Sequence, residues 1–241
     1  MIDINVYDPP QVDSLAVSDL HLGGRADLAM VLDFLEVWAP RVLQLIVFTG
    51  DTLELQLTGQ KQAFRAGSQA LALVLAIKQR LCRVVIQPGN HDEWIGDGIA
   101  SGGDVVIATD RVARIREDPP LYITHGWQFD RSAAMFELLA KMHWRGGNWM
   151  GRIARRLDRR VGRHDKKLPR LRKKVYKLIR SLPPSSTLLT GHTHKQFRYI
   201  VDQLGRSGID TGSAVAPPDE IGFAVEIEGE WEMLTWRKRH G

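Results

Sequence analysis

Apolar residues in the first half of the chain fall into two alternating patterns. Short, mostly β-branched runs, Leu15-Ala16-Val17, Leu45-Ile46-Val47-Phe48 and Val84-Val85-Ile86, give way to Asp19, Asp51 and Asn90. Between them, residues 27–38 and 61–80 carry apolar side chains at helical spacing, as in Leu28, Val31, Leu32 and Leu35. Strands alternating with helices predict a largely parallel sheet covered on both faces. In such sheets ligands bind beyond the carboxyl ends of the strands, where these polar residues sit.

The second half adds strand-like runs near 104–108, 111–116, 121–125, 187–190, 197–201, 222–227 and 230–236. Glu228-Gly229 between the last two predicts a hairpin turn. The expected class is α/β, with two packed sheets and outer helices. From about 128 to 184 the pattern is helical instead. Trp149, Ile153, Leu157 and Val161 mark one face, and Leu168, Leu171, Val175, Leu178 and Leu182 another, before Pro183-Pro184 stops it. A structureless loop of that length would be unusual, so a helical cap over the site is expected. The division is then a core of 1–127 and 185–241 with an inserted basic cap of 128–184.

Composition changes this picture little. A chain of 241 residues with 44% hydrophobic and 25% charged residues suits one large soluble domain, or one domain with an insertion. The single cysteine, Cys82, excludes an intramolecular disulfide and reads as a buried inert thiol. No signal segment is visible at Met1-Ile2-Asp3-Ile4-Asn5, and no apolar run is long enough to cross a bilayer. A cytoplasmic protein is expected, able to lie peripherally on the inner membrane surface.

Charge distribution matters more. Residues 141–180 hold sixteen Lys/Arg against Asp158 and Asp165, a local charge of +14 within a total of +5, so the rest of the chain carries −9.

Candidate chemistry lies at the strand ends: Ser18-Asp19-Leu20-His21, Gly50-Asp51, Gly89-Asn90-His91-Asp92, Thr124-His125-Gly126 and Gly191-His192-Thr193-His194. Each alone is weak, since Asp-x-His on a turn is usually just solvated and Gly-Asp usually just a turn. As an ordered set they supply oxygen and imidazole ligands for two divalent ions. Asp51 is the candidate bridging carboxylate. Asp19 and His21 can turn to one ion, with His194 in reach, while Asn90, His125 and His192 offer an amide oxygen and two imidazoles. Mixed oxygen and nitrogen donors suit Mn²⁺, Fe²⁺ or Zn²⁺ better than Ca²⁺ or Mg²⁺. Two such ions about 4 Å apart clamp a phosphoryl group and activate a water. His91 is placed to stabilise charge or protonate a leaving oxygen, with Asp92 expected to orient it.

The five motifs resemble the calcineurin-like metallophosphoesterases over nearly the whole chain outside 128–184. The resemblance implies a four-layered α/β/β/α sandwich. It assigns Asp19, His21, Asp51 and His194 to one metal and Asp51, Asn90, His125 and His192 to the other, and makes His91 the catalytic histidine. Gly50-Asp51-Thr52-Leu53-Glu54 is similar to the Gly-Asp-x-x-Glu form of UDP-2,3-diacylglucosamine pyrophosphatases, which also insert a helical cap at this place. His125-Gly126-Trp127-Gln128-Phe129-Asp130 is similar to the His-Gly-x-x-Phe-Asp of a related branch. That resemblance implies a substrate-seating role for Asp130, and Glu54 is expected on the substrate side as well. The best-known members carry arginine where this chain has His91, which points to a sister branch or a general phosphodiesterase.

In the cap, Arg145, Arg152, Arg155, Arg156, Arg159, Arg160 and Arg163 alternate with Trp144, Trp149, Ile153 and Leu157. Basic amphipathic helices with tryptophan suit anionic membrane surfaces. Arg152 and Arg156 are expected to neutralise a diphosphate. Nucleic acid is the second candidate partner, because the same charge attracts a phosphate backbone. A solvated helical face over ordinary core is the third reading. The favoured reaction is hydrolysis of a nucleotide-activated lipid such as UDP-2,3-diacylglucosamine to UMP and a lipid monophosphate. A broad phosphodiesterase or nuclease, or a non-catalytic membrane- or nucleic-acid-binding scaffold, are the alternatives.

Overall fold

The structure, a computed structural model, describes residues 4–24, 26–55, 60–92, 104–129, 164–200, 203–215 and 219–238. The predicted parallel unit is present. Strands β1 (Val12–Val17), β2 (Val42–Thr49), β3 (Arg83–Gln87) and β4 (Val105–Ile107) pair in parallel. The hairpin β10 (Glu220–Ile227) and β11 (Glu230–Arg237) joins antiparallel beside β1, giving a six-stranded sheet in the order β11-β10-β1-β2-β3-β4. Glu228 and Gly229 both have positive φ at the hairpin, 52° and 82°, the backbone twist a two-residue turn requires.

A second, five-stranded sheet has the order β5-β6-β7-β9-β8. Its strands are β5 (Ala113–Arg116), β6 (Leu121–Thr124), β7 (Thr187–Thr190), β8 (Phe197–Ile200) and β9 (Ser207–Asp210). Strand β9 was not expected from the sequence. Ser207-Gly208-Ile209-Asp210 has one large apolar residue, so it gives no periodic signal, yet it lies between β7 and β8 with three of its residues buried.

Helix α1 (Leu28–Trp38) begins where the Asp27 carboxylate accepts from the N–H groups of Ala29 and Met30, and it buries Met30, Val31, Phe34, Leu35 and Trp38. With α2 (Gln60–Ile77) it covers the face of the six-stranded sheet that carries Leu15, Val17, Ile46 and Phe48. The alternate residues Ala16, Leu45 and Val47 meet Ile123, Leu189 and Ile209 of the second sheet in a separate cluster. A third cluster joins Leu188 and Tyr199 of that sheet to Val175, Ile179 and Leu182. Helices, sheet, sheet and helix thus follow one another.

The last three residues belong to or adjoin α3 (His164–Ser181). The sequence assigned this helix to the cap. Its apolar stripe packs on the five-stranded sheet, with Ile179 rather than Leu178 turned fully inward. Trp127–Phe129 forms a single 3₁₀ turn. Asp130, Arg152, Arg156 and the tryptophan-bearing cap segment lie outside the described residues. Among the described residues no helix is long and apolar enough to cross a membrane. Cys82 is fully buried, and burial pushes its thiol up to about 11, so it is inert as expected.

Candidate metal centre

Five strands of the two sheets deliver polar residues to one place. Asp19 and His21 follow β1, Asp51 follows β2, and Asn90 follows β3. His125 follows β6, and His192 and His194 follow β7. All but His194 are at least nine-tenths buried. The set is assembled from both sheets, three strand ends from one and two from the other.

The backbone at these positions is unusual. Asp19, His21, Asp51, His192 and His194 have φ of 52°, 47°, 47°, 70° and 56°, in the left-handed region that side chains rarely adopt. Each such residue costs on the order of 1–3 kcal/mol and persists only when its surroundings over-determine it. Here they do. Asp19 N–H donates to Gly50 O (3.1 Å) and His21 N–H to Asp51 O (2.8 Å). Asp19 Oδ2 accepts from Ser18 Oγ (2.7 Å) and from the His192 N–H (2.8 Å).

Two motif glycines are required by space as well as by turning. A Cβ on Gly50, at φ 82°, would lie 2.3 Å from the His125 ring. A Cβ on Gly89 would lie 2.2 Å from Asp51 Oδ1 and 2.4 Å from Asp51 N. The loop after β3 can therefore press against Asp51 only without a side chain, and His91 N–H then donates to Asp51 Oδ1 at 2.8 Å.

The ligand atoms fall into overlapping groups whose members lie within 4.8 Å of one another: Asp19, His21 and His194; His21, Asp51 and His91; Asp51, His125 and His192. His21 is shared by the first and second groups and Asp51 by the second and third, so the three form one continuous site. His194 Nε2 is 3.2 Å from Asp19 Oδ1, and His125 Nε2 is 3.1 Å from Asp51 Oδ2.

The donor set fits metal ions. His125 Nδ1 lies 3.0 Å from Thr49 O, a carbonyl that can only accept, so Nδ1 carries a proton and Nε2 is left for a second proton or a metal ion. That nitrogen faces a carboxylate oxygen at 3.1 Å, a pairing that needs a positive charge between them, a proton or a metal ion. Ligands about 2.1 Å from one ion and at right angles to each other are about 3 Å apart, the spacing seen here. His21 repeats the arrangement: Nδ1 is 2.9 Å from Glu54 Oε2, while Nε2 points toward Asp19 Oδ1 and Asp51 Oδ2 at 4.0 and 3.9 Å. Asp19 Oδ1, His21 Nε2 and His125 Nε2 are buried without a hydrogen-bond partner.

Electrostatics agree. Burial alone would raise Asp19 and Asp51, yet His125 and the other histidines beside them hold both carboxyls below the ordinary range. Burial opposes charge on His125, but Asp51 and Asp19 push it up to about 10. The pocket is a site for positive charge, and a divalent ion competes there with protons.

Two expected roles change. Asp92 does not face His91: its Oδ1 accepts from Gly89 N–H (2.6 Å) and its Oδ2 from Leu53 N–H (2.9 Å), so it ties the loop after β3 to the loop after β2. Glu54 is fully buried. It does what was expected of Asp92, with Oε1 2.7 Å from His91 Nδ1 and Oε2 2.9 Å from His21 Nδ1. Its place three residues after Asp51, on the same loop, was the signal available for that role. His91 itself is partly exposed and packs edge-on against His21, with ring centroids 4.7 Å apart.

The profile of the calcineurin-like phosphoesterase family matches residues 14–196. Among solved structures, a dimetal phosphatase from Danio rerio is similar over 95% of this chain and 99% of its own length, at 14% identity and a TM-score of 0.52. A likeness at that identity speaks for the fold. No curated protein matches the chain.

Proposed function

The chain belongs to the calcineurin-like phosphoesterase family, a metal-dependent phosphohydrolase by that membership, and from this premise we propose that it cleaves the pyrophosphate of a nucleotide-activated lipid such as UDP-2,3-diacylglucosamine. The observation that carries the hydrolytic reading is the convergence of Asp19, His21, Asp51, His125, His192 and His194 around shared buried positions, with Asp51 between two groups. Asp19, His21, Asp51 and His194 would hold one ion, and Asp51, Asn90, His125 and His192 the other. When bound, two such cations make water easier to deprotonate and offset charge gathering on the phosphoryl oxygens.

The chain's own groups do the rest. Thr49 O and Glu54 fix which nitrogen of His125 and of His21 carries the proton, so each presents its Nε2 lone pair to the site. Glu54 also holds His91 by Nδ1, which orients the ring beside the ligand groups. As imidazolium, stabilised by the Glu54 carboxylate, His91 supplies positive charge or a proton there.

The lipid assignment is supported by the Gly50-Asp51-Thr52-Leu53-Glu54 motif and by the basic, tryptophan-bearing insertion, which suits a diphosphate at an anionic membrane surface. The Glu54–His91 pair favours a second reading, a phosphodiesterase of simple diesters, because it provides a proton donor where the lipid enzymes have arginine. A nuclease would be its polymeric form and a metal-binding scaffold the non-catalytic outcome.

The test is UMP release from UDP-2,3-diacylglucosamine by purified protein with Mn²⁺, beside Asp51→Ala. Release that the variant loses supports the lipid reading. Cleavage of bis(p-nitrophenyl) phosphate without UMP release moves the assignment to a diesterase. Hydrolysis of neither, with Mn²⁺ bound, leaves the scaffold.

A further inference from the structure

The turn that carries His192 and His194 leaves β7 of one sheet, and a side chain at its exit is tied to the other sheet. Gln196 lies two residues after His194, just before β8. Its Nε2 donates to Phe223 O of β10 at 3.1 Å and to Leu234 O of β11 at 2.6 Å. Its Oε1 accepts from Thr235 Oγ1 at 3.1 Å. The neighbours fix which way the amide faces. Two carbonyls can only accept, so the NH₂ meets both, and the hydroxyl donates to the amide oxygen.

Two glycines open the path for this side chain. A Cβ on Gly212 would lie 2.9 Å from Gln196 Cγ, and one on Gly222 of β10 would lie 3.0 Å from it.

We infer that Gln196 is a positioning residue that sets the distance between His194 and Asp19 by joining the exit of the turn to β10 and β11. The inference rests on the reading that Asp19 and His194 hold one of two cations.

The connectivity carries it. His194 Nε2 lies 3.2 Å from Asp19 Oδ1, one side chain from each sheet. Phe223 is the ladder partner of Val17 on β1, and Val17 stands two residues before Asp19. The tie therefore joins a point two residues after His194 to a point two residues before Asp19, and closes a short circuit around the pair. His194 has a φ of 56°, a backbone state that lasts only where its surroundings impose it. His192 is held from its own side, because its N–H donates to Asp19 Oδ2 at 2.8 Å and the N–H of Gly191 donates to His125 O at 3.2 Å. Loss of the tie should thus fall on the group of Asp19, His21 and His194 more than on that of Asp51, His125 and His192.

The experiment is calorimetric titration of the full-length, chelator-stripped protein with Mn²⁺ alone, for wild type, Gln196→Met, Gln196→Glu, Thr235→Val and Arg198→Ala. Wild type should take up two ions. Methionine keeps the length of glutamine without its hydrogen bonds, and glutamate cannot donate to the two carbonyls. Each should weaken one ion by about 10-fold or more, as loss of a group that orients a ligand does, and leave the other within about threefold. Thr235→Val keeps both donations and should be spared. Arg198 also crosses to β11, donating to Trp231 O, but two residues farther from His194. Arg198→Ala should lower the melting temperature and keep both affinities. Should Gln196→Glu fail to fold by circular dichroism, the methionine variant decides. Wild-type affinity in Gln196→Met, an equal loss of both ions, or the same loss in Arg198→Ala would overturn the inference. A wild type that binds two Mn²⁺ and hydrolyses nothing would sink the functional reading and leave this comparison intact.

Discussion

Glu54 Oε1 lies 2.7 Å from His91 Nδ1, and the other oxygen of the same carboxylate lies 2.9 Å from His21 Nδ1. One buried acid therefore sets the proton position of a candidate ligand and of a candidate catalytic histidine. Burial alone would raise its pKa, but His91 and His21 hold it below the ordinary range, so it is a carboxylate. It accepts from both rings.

Glu54→Gln separates that role from bulk packing. An amide can accept from one ring only and must offer its NH₂ to the other. That ring is forced into the tautomer whose Nε2 bears the hydrogen, which a metal ligand cannot tolerate. We expect a loss of about 10–100-fold in kcat or Mn²⁺ affinity with the unfolding midpoint nearly unchanged. Steady-state kinetics on bis(p-nitrophenyl) phosphate across a Mn²⁺ series would read it, and wild-type values would refute the dual role.

Gly89→Ala tests the close approach of two loops. The new Cβ would sit 2.2 Å from Asp51 Oδ1, and relief requires moving Asp51 or the loop that carries Asn90 and His91. Overpacking of this kind costs about 1–3 kcal/mol and here falls on the bridging carboxylate. Mn²⁺ affinity should fall more steeply than stability. Calorimetric titration beside a thermal melt checks both, and an unchanged affinity would show that the loop moves freely.

The patterns that made these elements legible are local ones. Asp19, Asp51 and Asn90 stand just after β-branched runs, and a run of that kind buried on both faces leaves little ambiguity about where the strand stops. Strand β9 was invisible because Ser207-Gly208-Ile209-Asp210 owes its place to pairing with β7 and β8, a tertiary cause. Helix α3 shows the reverse: its periodicity was plain, but periodicity cannot say which surface an apolar stripe meets. Adjacency to His91 in sequence misleads in a similar way, since the Asp92 carboxylate accepts from backbone N–H groups and Glu54 pairs with the His91 ring.

Adding metal should stabilise the protein. Asp19 and Asp51 are both buried at one centre, with Nε2 of His21 and of His125 facing them. A ligand that binds only the folded state at one hundred times its Kd adds about 2.7 kcal/mol per site. The melting temperature should rise with Mn²⁺, fall on chelation, and become insensitive to Mn²⁺ in a His125→Ala, Asp51→Ala double variant. A metal-independent wild-type melt would contradict the proposed ion sites.

The ligands come from both sheets, so what holds the sheets together deserves its own test, well away from the ligands. Arg116 of β5 donates twice to Glu226 of β10, at 2.7 and 2.6 Å, and Ser14 of β1 donates to the same carboxylate at 2.7 Å. Glu226 is almost fully buried and Arg116 one-fifth exposed on its side chain. Arg116→Ala leaves a buried carboxylate with its serine but without its counter-charge. Breaking such a pair costs about 3–5 kcal/mol when both partners are buried, and the exposure of Arg116 argues for the lower end. The contact reaches β1 at Ser14, five residues before Asp19, so the folded variant should keep its ligand geometry. The expected result is a clear drop in the urea midpoint with kcat at saturating Mn²⁺ within about twofold of wild type, since a substitution far from the site adds independently. A matching loss of metal affinity in the folded variant would mean that the register between the sheets, and not the loops alone, sets the spacing of the centre.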